Sequence, residues 1–329
     1  MRLRVAIGAA CGIAACVFLF TRHDWDSIWQ AATVIGWGLA LLILWRFVSL
    51  LVAGTAWRLL FQPGSRPALL ITVVARWISE SVNGLLPVAQ VGGEFARARL
   101  LFHALKREGK PASGMEAAAT VIVDMTLALA AQVLFALPGL WQLWVLNEQA
   151  IARVAGGVVV SVLPLILLIA GQRQGAIKGG TALAARFGLA RLVADESQEH
   201  PLWARLSAIY RRVPLSGLVI AVHVLTWTCR AGESWIALRM MGHPIGVLDA
   251  VMIEGLLSAA RTVGFLLPAG LGVQEGALLL LCGWAGVPGH MALALALVKR
   301  ARELGVGLPG LAAWAVLERP RFRRHHRAG

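Results

Sequence analysis

Long charge-poor runs exclude a soluble fold for this chain. Residues 5–20, 33–45, 117–140 (interrupted only by Asp124), 154–170 and 215–229 are almost wholly apolar. With their flanks, several reach the ~20 residues a helix needs to cross a hydrocarbon core. No polar stretch of domain length separates them. Hydrophobic residues make up 58% and charged residues 15% of the chain, far from the balance of a globular domain. The pattern predicts an all-α polytopic membrane protein, with residues 1–329 as one integral membrane domain.

Charge placement sets the expected topology. Arg2 and Arg4, Arg58 and Arg66, residues 97–110, residues 173–212 and the tail RPRFRRHHRAG hold 21 of the 31 Lys and Arg. These clusters sit between or after apolar runs, as cytoplasmic loops do. The net charge of +14 therefore points to anionic lipid and not to nucleic acid. Both termini are expected in the cytoplasm, with residues 3–20 a retained first helix. Crossings are expected near 33–58, 112–138, 150–171, 214–239 and 289–318. Loop 172–213 is expected to be basic and cytoplasmic. Within it PLWARLSAIYRRV, with Leu202, Leu206, Ile209 and Val213 on one stripe, reads as an interfacial helix.

Two interruptions stand out. Residues 85–94 read LLPVAQVGGE and residues 266–275 read LLPAGLGVQE, an offset of 181. The same offset aligns Ala56-Trp-Arg-Leu-Leu with Ala237-Leu-Arg-Met-Met. Residues 33–137 and 214–318 thus read as internal repeats of helix, broken hairpin and helix. The arms 68–83 and 92–105 are too short to span, and both ends of that segment are basic. The first hairpin is expected to dip in from the cytoplasm, and the second, residues 244–287, from outside. The architecture expected is about six transmembrane helices plus two re-entrant broken hairpins in an inverted repeat, a plan of secondary transporters. Pro87, Gly92, Gly93, Pro268, Gly270 and Gly272 are the expected breakers at the tips.

Three strings carry a family resemblance: SVNGLLPVAQVGGEFARARLL, FLLPAGLGVQEGALLLL and ALALVKRARELGVGLPGLAAW. They resemble the flippase-like transmembrane family, which includes the membrane half of lysylphosphatidylglycerol synthases. The first string looks closest to hopanoid-biosynthesis-associated members. The resemblance implies lipid translocation, or support of lipid modification, in a bacterial inner membrane. The bifunctional synthases also carry a soluble aminoacyl-transferase domain. None is found up to Gly329, so lysyl transfer is not expected.

Charges at membrane depth cost at least ~2.5–3.5 kcal/mol each on insertion scales, so they pair or line a wet cavity. The candidates for handling a lipid headgroup are Asn83, Glu94, Arg97, Arg99, Glu254, Arg261, Gln274, Glu275, Lys299, Arg300, Arg302 and Glu303. Glu94 and Glu275 serve either to complement a helix dipole or as gating or ion-coupling carboxylates. Asn83 serves either as a cap or as a headgroup contact. Arg97 and Arg99 form either structural pairs or a fork for phosphate. Arg230 and Glu233 are positioned to neutralise one another along one helix; Glu254 and Arg261 either do likewise or bridge to the opposite repeat. The run KRARE, residues 299–303, is either a solvated break or a set of charges facing a central cavity; the latter fits better, because neither flanking half spans alone.

No phosphate loop, GxSxG, HExxH or CxxC motif occurs, so no catalytic residue, metal or cofactor is expected. The leading expectation is a non-enzymatic translocator of an anionic or hopanoid-related lipid. Its rivals are a scaffold for lipid-biosynthesis enzymes and an intramembrane enzyme that modifies lipid.

Overall fold

A computed structural model describes residue 14 and residues 16–86, 92–109, 114–173, 201–263 and 272–325. Pro87, Pro268 and Gly270, the N-terminal part of the expected first helix, most of loop 172–213 and the end of the tail lie outside the described residues. The described residues are helical throughout, apart from short turns and one 3-10 turn at Pro63–Ser65. The chain is an all-α polytopic membrane protein.

The helices are α1 Trp25–Thr33, α2 Gly38–Leu59, α3 Leu69–Leu85, α4 Gly92–Arg107, α5 Gly114–Leu146, α6 Glu148–Arg173, α7 Pro201–Tyr210, α8 Val213–Met240, α9 Val247–Val263, α10 Val273–Trp284 and α11 Gly289–His325. Three of them, α2, α5 and α8, are long and apolar enough to cross a membrane by length and composition. The 22 residues of α2 extend about 33 Å, close to the hydrocarbon thickness. Helix α11 has 37 residues, and KRARE lies inside it as continuous helix, not as a loop between two halves.

Local chemistry explains several boundaries. Helix α3 stops because Leu86 adopts φ −106° and ψ 147°, the extended backbone that the following Pro87 imposes. Helix α1 falls in a segment expected to be a loop. Asp24 caps it, accepting from the Ser27 backbone N–H at 2.9 Å and from its hydroxyl at 2.5 Å. Helix α10 begins at Gly272, whose φ of +79° suits a residue without a side chain.

The packing crosses over. The short pair α3–α4 lies between α2 and α5, and the short pair α9–α10 between α8 and α11. Helix α3 packs on α11, α9 packs on α5, and α2 packs on α8. Each first arm therefore rests on the long helix that closes the other set. Close approach relies on small residues, as membrane helices generally do: a Cβ on Gly139 of α5 would lie 3.1 Å from the Met252 backbone of α9.

Polarity is arranged for a lipid solvent. Leu44, Leu51, Leu70, Leu163, Leu167, Leu218, Leu225 and Leu308 are exposed on the outside, whereas Arg46, Arg97, Asp124, Glu233, Glu254, Lys299 and Arg302 are buried. Two apolar clusters occupy different parts of the bundle. One joins Leu42, Leu143, Leu238, Leu256 and Leu293; the other joins Trp57, Ile78, Leu101, Val121 and Val219. Along α2, Arg46 falls between Leu42 and Trp57; along α8, Arg230 and Glu233 fall between Val219 and Leu238. Gln132 of α5 lies likewise between Val121 and Leu143. The sequence thus places a polar waist between two apolar ends.

The stripe on α7 has a different partner from the one expected. Leu206 and Ile209 are buried in the second apolar cluster, with α7 packed on α5. Val213 is 70% exposed and begins α8. Leu206 and Ile209 are therefore covered by protein, whereas Val213 is not.

Candidate functional site: a charged cavity at the polar waist

A cavity of about 290 Å³ opens in the waist. Its walls come from α2 (Arg46), α3 (Arg76, Ser79, Glu80, Asn83), α4 (Glu94), α5 (Gln132), α8 (Trp227, Arg230), α9 (Glu254, Ser258, Arg261, Thr262) and α11 (Arg302, Glu303). Five arginines and four glutamates line it. Such a lining is stable within a membrane only if the charges pair or meet water.

Most of them pair across helices. The Arg46 Nε donates to Glu80 at 2.7 Å. Arg302 Nε donates to Glu233 at 2.8 Å. Glu254 accepts from Lys299 Nζ at 2.8 Å and from the Ser234 hydroxyl at 3.0 Å. Arg261 and Arg300 each reach Glu303 at 3.1 Å, and Arg300 also reaches Glu275 at 3.1 Å. A continuous line of ion pairs therefore runs from Glu275, at the start of α10, through Arg300 and Glu303 to Arg261 on the cavity wall.

The first hairpin is tied differently. Asn83 at the end of α3 accepts the Gly93 N–H at 2.8 Å and donates to Glu94 at 3.4 Å. The side chain thus joins the two arms and caps a backbone donor freed at the break. Ser79 donates to Glu94 at 3.3 Å, and Glu94 pairs with Arg97. Gly92 and Gly93 are the first residues of α4, on the helical side of the break. Gly93 is needed there for close approach, since a Cβ would collide with the Ser79 carbonyl oxygen.

Arg97 and Arg99 do not form a fork for phosphate. Arg97 is fully buried, donates to Asp124 at 2.6 Å and lies 4.8 Å over the Trp57 ring. Arg99 pairs with Glu318 at 3.0 Å. Sequence spacing suggested that Arg230 would neutralise Glu233, and that Arg261 would either neutralise Glu254 or bridge to the opposite repeat. Instead Glu233 pairs with Arg302 and Glu254 with Lys299, both on α11. Asp124 of α5 collects Arg76 at 2.6 Å, Arg97 at 2.6 Å and His223 at 2.9 Å.

Of the expected candidates, Asn83, Glu94, Glu254, Arg261, Arg302 and Glu303 line the cavity. Lys299, Arg300 and Glu275 stand behind its wall as counter-charges. Gln274, in the first turn of α10, is fully buried and has no hydrogen-bond partner among the described residues. Arg46, Arg76, Glu80, Trp227 and Arg230 belong to the wall although no motif marks them. Their only sequence signal is a charge or indole inside an apolar run. Among the described residues no group of three His, Cys, Asp or Glu side chains is arranged to hold a metal ion.

The family model for the lysylphosphatidylglycerol synthase TM region matches residues 3–310. The chain belongs to this family. No curated protein and no solved structure matches it. Membership of the lysylphosphatidylglycerol synthase TM-region family ties the protein to membrane lipid. The matched span contains both short helix pairs and every charged group of the waist described above.

Proposed function

We propose that the protein is a lipid translocator of a bacterial inner membrane, carrying an anionic lipid between leaflets without altering it. The cavity carries this reading. Unaided passage of an ion through hydrocarbon meets an idealised desolvation cost on the order of 20 kcal/mol. Charged walls and water at mid-bilayer replace that barrier with polar contacts. About 290 Å³ equals roughly ten water volumes. That admits a hydrated headgroup and excludes two acyl chains, which remain in lipid outside the bundle.

In this reading the crossed packing of α3 on α11 and of α9 on α5 reflects two inverted repeats, residues 33–137 and 214–318. The first short pair then enters from the cytoplasm and the second from outside, with both termini cytoplasmic. The hopanoid connection rests on the SVNGLLPVAQVGGEFARARLL string alone.

The test is reconstitution of the full chain in vesicles holding a trace of head-labelled phosphatidylglycerol. A membrane-impermeant reductant then bleaches the accessible leaflet, with and without an imposed proton gradient. Bleaching is expected to continue past the outer leaflet within minutes in one or both conditions. Bleaching that stops at the outer leaflet in both, as in protein-free vesicles, contradicts translocation.

A further inference from the structure

The charges of the waist do not cancel one for one. With the counter-charges behind the wall included, it holds eight lysine and arginine side chains and seven carboxylates among the described residues. Each carboxylate has a close partner: Glu80 with Arg46, Glu94 with Arg97, Asp124 with Arg76, Glu233 with Arg302, Glu254 with Lys299, Glu303 with Arg261 and Glu275 with Arg300. The pairing leaves one cation over, and that cation is Arg230.

Its surroundings agree with the count. The nearest carboxylate oxygen, on Glu80, is 3.8 Å away, beyond hydrogen-bond distance, and Glu80 is already held by Arg46. Among the described residues Arg230 Nε is buried without a hydrogen-bond partner. One guanidinium face lies 4.5 Å over the Trp227 ring, which orients the cation. Arginine retains its charge in such a place, and its planar fork matches the oxygens of a phosphate. Ser79, Ser258 and Thr262 add hydroxyls to the same cavity.

We propose that Arg230 is the receptor for a singly charged phosphate ester with a hydroxyl-bearing headgroup. The lipid origin of this ligand rests on the translocation reading; the anion site itself does not. A monoanion completes the charge balance of the waist, whereas a zwitterionic headgroup brings a second cation that finds no free carboxylate.

The test is mass spectrometry of the intact full-length protein released from micelles, with equal amounts of short-chain phosphatidylglycerol and phosphatidylcholine. The parent is expected to prefer phosphatidylglycerol by roughly tenfold, the worth of a charge-assisted hydrogen bond. Arg230→Gln is expected to lose that preference with little fall in thermal midpoint, because the 3.8 Å contact with Glu80 is long and Glu80 keeps its hydrogen bond from Arg46. Arg230→Lys is expected to retain part of it. Equal binding of the two lipids by the parent, or an unchanged preference in Arg230→Gln, overturns the receptor. Displacement of phosphatidylglycerol by its deacylated headgroup, the monoanionic diester glycerophosphoglycerol, at equal concentration retains the anion site and overturns its lipid source. Binding without leaflet transfer removes the translocation reading alone. Leaflet transfer of phosphatidylglycerol by Arg230→Gln at the parental rate removes the receptor alone.

Discussion

Replacing Asp124 with alanine is expected to destabilise the protein by about 3–5 kcal/mol, the usual loss when one partner of a buried ion pair is removed. The carboxylate is fully buried and joins four helices: its own α5, α3 through Arg76, α4 through Arg97 and α8 through His223. Without it Arg97 still has Glu94, but Arg76 loses its one ion-pair partner among the described residues. The thermal unfolding midpoint in micelles checks this. Asp124→Ala should fall well below the parent, and Asp124→Ala with Arg76→Gln should recover part of the loss. A single variant that unfolds with the parent would mean that the cluster does not hold the first hairpin in place.

Gly93→Ala is expected to have the next largest effect. The new Cβ collides with the Ser79 backbone oxygen and lies 2.8 Å from the Asn83 carboxamide carbon. A backbone oxygen cannot rotate away, so α3 and α4 must separate. Overpacking of this kind costs about 1–3 kcal/mol and occasionally more. Separation also weakens the Asn83–Gly93 hydrogen bond of 2.8 Å. Gly84, on α3, supplies the control: a Cβ there meets nothing within 4 Å, and alanine is the better helix former by roughly 1 kcal/mol. Gly84→Ala should match or exceed the parental midpoint while Gly93→Ala falls below it. Equal midpoints would remove close approach as the reason for glycine at 93.

Periodicity and breakers made most of the helical framework legible. The arms expected at 68–83 and 92–105 are Leu69–Leu85 and Gly92–Arg107, since Pro87 and the glycines mark the break in residue type alone. Helices α2 and α8 end at Leu59 and Met240, at the offset of the paired LLP strings. Helix α1 was missed because TRHDWDSIWQ looks like a polar connection, although Asp24 as an N-cap residue with Asp26 in the first turn is a recognisable start signal.

The partners of the charges were less legible. Spacing along one helix suggested Arg230 with Glu233, but Glu233 meets Arg302, 69 residues away. Which facing helix supplies a counter-charge depends on how the two short pairs cross, and no local pattern encodes that. The same limit explains α7. A stripe at helical spacing shows that one face will be covered without showing whether lipid or α5 covers it. Arg230 became distinctive only once every carboxylate had been assigned to another cation.

The central claim is that a headgroup crosses through the waist. Thr262, partly exposed on the cavity wall, is the position at which to obstruct it. Leaflet transfer of labelled phosphatidylglycerol should be compared for the parent, Thr262→Trp and Leu167→Trp, reconstituted at equal amounts of folded protein. Leu167 is 68% exposed on the outside of α6, so an indole there leaves the cavity open. The account predicts that Thr262→Trp abolishes most of the transfer and that Leu167→Trp retains it. Transfer by Thr262→Trp at the parental rate would contradict the cavity as the route.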